Sequence, residues 1–159
     1  MKKKWNLVSA VGSLVVISIL VLAISVYLVY QSFLIGLAFL GLGLVLLGIL
    51  KLFKIKKERI YPDIVFGFID NGFLVIGAAL GGIFAGVAGA IIGGVAGNTI
   101  TDGVGGIFEG RLAQKLEKAD VHAHRTPFST MMGKVIGCLI GAGIGLIIIA
   151  IVDAVFKIL

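Results

Sequence analysis

The sequence predicts an all-α integral membrane protein with five transmembrane helices: an N-terminal hairpin followed by a glycine-zipper three-helix core. Three observations carry this. Hydrophobic residues make up 59% of the chain and charged residues only 14%, against roughly half and a quarter in a soluble domain. The apolar residues gather in runs long enough for the about 20 residues that a helix needs to cross a bilayer. Glycine reaches 24 residues, many of them four apart, the spacing that lets helix backbones approach closely in lipid. This composition excludes a water-soluble monomer and a disordered chain. The net charge of +6 fits cytoplasmic loops rather than a nucleic-acid surface, so no nucleic-acid partner is expected. Cys138 is the lone cysteine, which leaves no intrachain disulfide.

The first helix is expected over residues 7–30. Lys2, Lys3 and Lys4 precede it, Trp5 marks one interface, and Tyr27 and Tyr30 mark the other. The run is too long for the apolar part of a signal peptide. A second helix is expected over 33–53, with Gln31 and Ser32 making a tight turn. Lys51, Lys54, Lys56, Lys57 and Arg59 then form a basic connector that ends at Tyr61-Pro62, and proline suits the first turn of a new helix. The chain thus divides into an N-terminal transmembrane hairpin, 1–55, and a three-helix glycine-rich core, 56–159.

Residues 63–110 are apolar and rich in glycine. One straight helix of that length would span about 70 Å, and a bilayer core is about 30 Å thick. The segment is therefore expected to fold back near Gly81-Gly82-Ile83-Phe84. Charge placement agrees: every Lys and Arg except Lys157 falls within 2–4, 51–59 or 111–134, and the positive-inside rule puts these on one side. An even number of crossings between the second and third clusters satisfies it. The last helix is expected over 132–156, with Lys134 snorkelling at its start and Asp153 near its outer end. The N-terminus is then cytoplasmic and the C-terminus outside.

Gly82/Gly86, Gly89/Gly93/Gly97 and Gly133/Gly137/Gly141/Gly145 repeat every four residues and so return to one helix face. Close packing of helices, within the chain or between copies, is the expected use. A chain this small needs a second copy to enclose a pathway, so a homodimer is expected.

The polar residues inside these runs carry the functional expectation. Asp70 and Asn71 interrupt the third helix, and Asn98, Thr101, Asp102 and Glu109 the fourth. A carboxylate near the bilayer centre costs about 2.5–3.5 kcal/mol, and the apolar stretches hold no Lys or Arg to offset it. A cation, a proton or water must do so. Asn98 and Asp102 stand at i, i+4, and Glu109 one further repeat on, so the three share a face. A hairpin centred near Phe84 brings Asp70 to the depth of Asn98. Carboxylate, amide and hydroxyl oxygens suit hard cations, and Asp70, Asn71, Asn98, Asp102 and Glu109 are the candidate cation ligands. His122-Ala123-His124 in the basic loop is a weaker metal candidate. No Ser-His-Asp, Cys-His or nucleotide-binding pattern is visible, so no enzyme and no resident cofactor is expected.

Gly67-Phe68-Ile69-Asp70-Asn71, Gly97-Asn98-x-x-Thr101-Asp102 with Gly105, Leu112-Ala113, and Ser129-Thr130-x-x-Gly133-Lys134-x-x-Gly137 together resemble the transmembrane protein 65 family over roughly half the chain. That resemblance implies a three-helix core, a link to sodium/calcium exchange, and a cation site at Asp70, Asn71, Asn98 and Asp102. The family's glutamate lies one helical turn beyond Glu109, and the segment up to Phe53 falls outside the match. The family's mitochondrial location does not carry over, because apolar sequence begins almost at once with no Arg/Ser-rich transit segment. A prokaryotic plasma membrane fits better. The function expected is a secondary exchanger of calcium with sodium or protons. The rivals are a passive cation channel or holin-like pore and a non-transporting structural module.

Overall fold

A computed structural model describes residues 7–28, 30–56, 60–118 and 126–156, and their regular structure is helical. For residues 32, 109, 110, 112, 113 and 115–118 it describes the backbone only. The helices are α1 (Leu7–Leu28), α2 (Ser32–Leu52), α3 (Tyr61–Lys118) and α4 (Pro127–Phe156). Among the described residues four helices are long and apolar enough to cross a membrane.

The expected five helices are not what the described residues show. They hold four, and the third runs through 58 residues with a reversal inside it. At Ala85 (φ −144°, ψ 27°) and Gly86 (φ 57°, ψ −140°) the backbone leaves helical geometry. Positive φ is accessible to glycine without steric cost, so Gly86 permits the turn. Beyond it the chain comes back along itself. Gly81 and Gly89 lie carbonyl against backbone, as do Gly77 and Gly93, and Gly97 lies beside Phe73. These pairs converge on Ala85, the mark of an antiparallel hairpin. The turn comes later than Gly81-Gly82-Ile83-Phe84 because Gly81 is itself needed in the seam.

The links on either side of α2 follow ordinary local chemistry. The Gln31 N–H donates to the Leu28 carbonyl at 2.8 Å, and the Gln31 carbonyl accepts from Ile35 N–H at 3.0 Å. At the far end, Lys54 N–H reaches Lys51 O (3.0 Å) and Ile55 N–H reaches Leu50 O (3.2 Å). This is a Schellman closure, and Lys54 occupies its left-handed position with φ 55°.

Helix α4 starts at Pro127, earlier than the apolar run suggests. The Thr126 hydroxyl accepts from Ser129 N–H (3.1 Å), and the Ser129 hydroxyl accepts from Thr126 N–H (3.0 Å). That reciprocal pair is a capping box with serine in the glutamate's place, and Pro127 sits where its missing N–H costs nothing.

Helix α4 is the hub, and its glycines set the distances. Gly133, Gly137, Gly141 and Gly145 rest on Ile60, Ile64, Phe68 and Gly72 in turn. The spacing is the same on both helices, so α4 runs parallel to the first arm of α3. On another side, Gly36 meets Gly143 and Ile147 while Gly43 meets Ile140 and Leu139, which makes α2 antiparallel to α4. Leu50, Ile60, Met132 and Ile136 are buried where the three meet. Within lipid such burial exchanges acyl contacts for protein contacts, so close packing holds the helices together. Helix α1 packs lightly against α2 and α4, and most of its side chains are exposed.

Candidate functional site

The reversal in α3 positions the polar residues. Its first arm carries Asp70 and its second carries Asn98, Thr101 and Asp102. The Thr101 hydroxyl lies 2.8 Å from Asp70 Oδ1 and is the polar bridge between the arms. Thr101 is 3% exposed, and Asp70 is half-buried. The same hydroxyl stands 3.0 Å from the carbonyls of Gly97 and Asn98. One hydroxyl hydrogen therefore faces three acceptor oxygens, and it can satisfy one of them well. The result is an oxygen-rich point between two apolar arms.

Asp70 was expected level with Asn98, and it instead meets Thr101. Moving the centre of an antiparallel hairpin by one residue moves every cross-arm pairing by two. With the pairs centred on Ala85 instead of Phe84, the level of Asp70 moves from Asn98 to Ile100, beside Thr101. Asn98 and Asp102 do share a face: Asn98 Nδ2 donates to Asp102 Oδ2 at 3.0 Å. Asp102 is exposed and Asn98 half-exposed, so this pair lies outside the seam.

Asn71 does not join the set. One residue along a helix turns the side chain by about 100°, and Asn71 lines a cavity of about 460 Å³ with Phe39, Val135 and Cys138. The Glu109 side chain lies outside the described residues, as do His122 and His124. Among the described residues no group of three or more His, Cys, Asp or Glu is placed to hold a metal ion. What the fold assembles in one chain is a carboxylate, a hydroxyl and an adjacent Asn/Asp pair.

A second cavity, of about 410 Å³, lies between the arms and leads from Thr101 past Phe66 and Gly105 to Tyr61 and Arg111. The Phe66 ring packs into the space that the missing side chain of Gly105 leaves. The Lys134 ammonium sits over the same ring at 4.4 Å from its centre, a cation–π contact where simple snorkelling was expected. Sequence reasoning also missed Asp63, which is 1% exposed and packs against Gly133. A carboxylate just after Pro62 reads as a solvated first-turn residue; its burial comes from the glycine that lets α4 approach.

Searches of protein-family models, of curated proteins and of solved structures find no match to this chain.

Proposed function

We propose that the chain is a multi-pass membrane protein that moves cations, a secondary exchanger of calcium with sodium or protons. The observation that carries this reading is the Asp70–Thr101 contact at 2.8 Å, an acid held by a hydroxyl between two apolar arms. Ionisable groups at such depth mark ion pathways and proton relays. Transporters often place their sites where a helix breaks near the midplane, and here the polar pair lies on a helix that doubles back.

Counting the two arms of α3 as separate crossings gives five, with the N-terminus and the basic segments cytoplasmic in a prokaryotic plasma membrane. The cavity between the arms opens toward Arg111 and is the approach to Thr101 from that side. Calcium takes 6–8 oxygen ligands, more than the Asp70–Thr101 contact alone offers, and Asn98 and Asp102 lie outside that seam. A homodimer would supply the rest, and the exposed Asp102 lies on the face a second copy would meet. The motif resemblance to the transmembrane protein 65 family points the same way.

A second reading has its own support. A hydroxyl–carboxylate bond between helices is also interhelical glue, which suits a structural module. Calcium uptake into proteoliposomes, with and without a sodium or proton gradient, separates the readings. An exchanger gives gradient-dependent uptake that Asp70→Asn abolishes and Asp102→Asn weakens. Uptake that ignores the gradient yet needs Asp70 identifies a channel. Calcium-silent vesicles, with Asp70→Asn altering only stability, leave the structural module.

A further inference from the structure

The basic connector after α2 is left unused by the transport reading. A groove of about 1030 Å³ opens there between α2 and the start of α3. Its wall along α2 is apolar, formed by Leu44, Leu47 and Gly48, and its rim carries Lys51, Lys54 and Lys56. All three lysines are exposed, and none has an ion-pair partner among the described residues. Tyr61, also exposed, stands at the same rim. Among the described residues no acidic side chain lines the groove.

Lys54 adds an independent mark. It holds φ 55° at the left-handed position of the α2 terminus, where glycine is the usual residue. A side chain with a Cβ is strained there, and glycine is not. Lysine at this position sets an ammonium on the rim of the groove. A volume at the upper end of ordinary ligand cavities, apolar along its length and cationic at one end, matches one chemical class. Basic pockets between transmembrane helices hold anionic lipid headgroups.

We propose that this groove binds one anionic diacyl phospholipid, with its phosphate at Lys51, Lys54 and Lys56 and an acyl chain along Leu44, Leu47 and Gly48. The site requires that the helices lie in a bilayer and is independent of ion transport.

The test is native mass spectrometry of detergent-purified full-length protein titrated with phosphatidylglycerol or phosphatidylcholine. One phosphatidylglycerol binds in preference to phosphatidylcholine. Each lysine removed weakens that binding roughly fivefold, and Lys51→Gln/Lys54→Gly/Lys56→Gln loses it. Lys54→Gly leaves the melting temperature unchanged or raised, because glycine suits the backbone there. Gly48→Leu changes no charge and meets nothing within 4 Å of its Cβ, yet it fills the groove and lowers phosphatidylglycerol binding. Arg111→Gln removes a charge outside the groove and leaves binding intact.

Equal loss in Arg111→Gln and the lysine variants, or full binding by Gly48→Leu, would mean diffuse attraction to positive charge and would overturn the site. So would equal uptake of the two lipids. Flotation of the wild type with liposomes is run alongside: failure to float refutes the membrane reading itself, whereas floating without lipid selectivity refutes only the groove.

Discussion

Gly137 and Gly81 each bring one helix backbone against the carbonyl of another, Gly137 against Ile64 and Gly81 against Gly89. Their surroundings differ. Around Gly137, α4 is covered by α2 on one side and α3 on the other, and Ile136 beside it has no exposed surface. Around Gly81 and its partner, the glycines of the second arm meet the first arm, and Val87, Ile91, Val95 and Ile100 on the second arm are exposed. Identical glycine chemistry thus builds a closed parallel seam at the hub and an open antiparallel seam at the edge. The internal polar contact of α3 lies in the open one. A seam with one exposed side can separate without dismantling the core.

The comparison orders the effects of substitution. Gly137→Leu drives a side chain into the Ile64 backbone with no side open for relief. The expected cost is about 3 kcal/mol or more, seen as loss of monodisperse protein in detergent. Gly81→Ala meets the Gly89 carbonyl, but the second arm has room to move outward, and a cost of about 1–3 kcal/mol is expected. Its thermal unfolding should keep the α2–α4 transition while protease cleavage near Gly86 increases. If Gly81→Ala collapses the whole protein as Gly137→Leu does, the distinction between closed and open seams is wrong.

Thr101→Val removes the bridge at nearly constant volume. Interhelical hydrogen bonds in lipid contribute about 0.6 kcal/mol on average, so melting should fall slightly. A fall in cation flux far beyond that small loss of stability would assign the bridge to transport; matched small changes would assign it to packing. The smallest effect is expected at Gly103, where an added Cβ would meet nothing within 4 Å. Gly103→Ala should raise stability by about 0.5–1 kcal/mol. A loss instead, together with a shift to monomer in light scattering, would show that a second copy packs on this arm.

Much of the fold is legible in the sequence. Apolar runs locate α1 and α2 to within two residues, and the unbroken glycine ladder from Gly133 to Gly145 announces the α4 seam. The start of α4 is less visible, because its capping box uses Ser129 in place of an acidic residue and lies before the apolar run. The turn in α3 is foreseeable in kind, since the segment is too long for one crossing, but not in position. Many glycines there are candidates, and which one takes positive φ depends on which others the seam consumes. The site inherits that uncertainty. Asp70 is recognisable by type, and its partner Thr101 rather than Asn98 follows from the turn. Periodicity pairs Asn98 with Asp102 correctly, because that contact is local. The burial of Asp63 and the seat of Lys134 over Phe66 depend on neighbouring helices that no single segment reveals.

The reversal of α3 underlies both the open seam and the polar site, and one cross-link tests it. A side chain at residue 94 would place its Cβ 3.6 Å from that of Ala78, inside the about 3.5–4.5 Å range of disulfides. In one straight helix the two positions would lie roughly 24 Å apart. Ala78→Cys/Gly94→Cys, made in a Cys138→Ser background and oxidised in membranes, should form an intramolecular disulfide that blocks alkylation of both thiols. Full alkylation after oxidation, or linkage only between chains, would contradict the hairpin and with it the contact between Asp70 and Thr101.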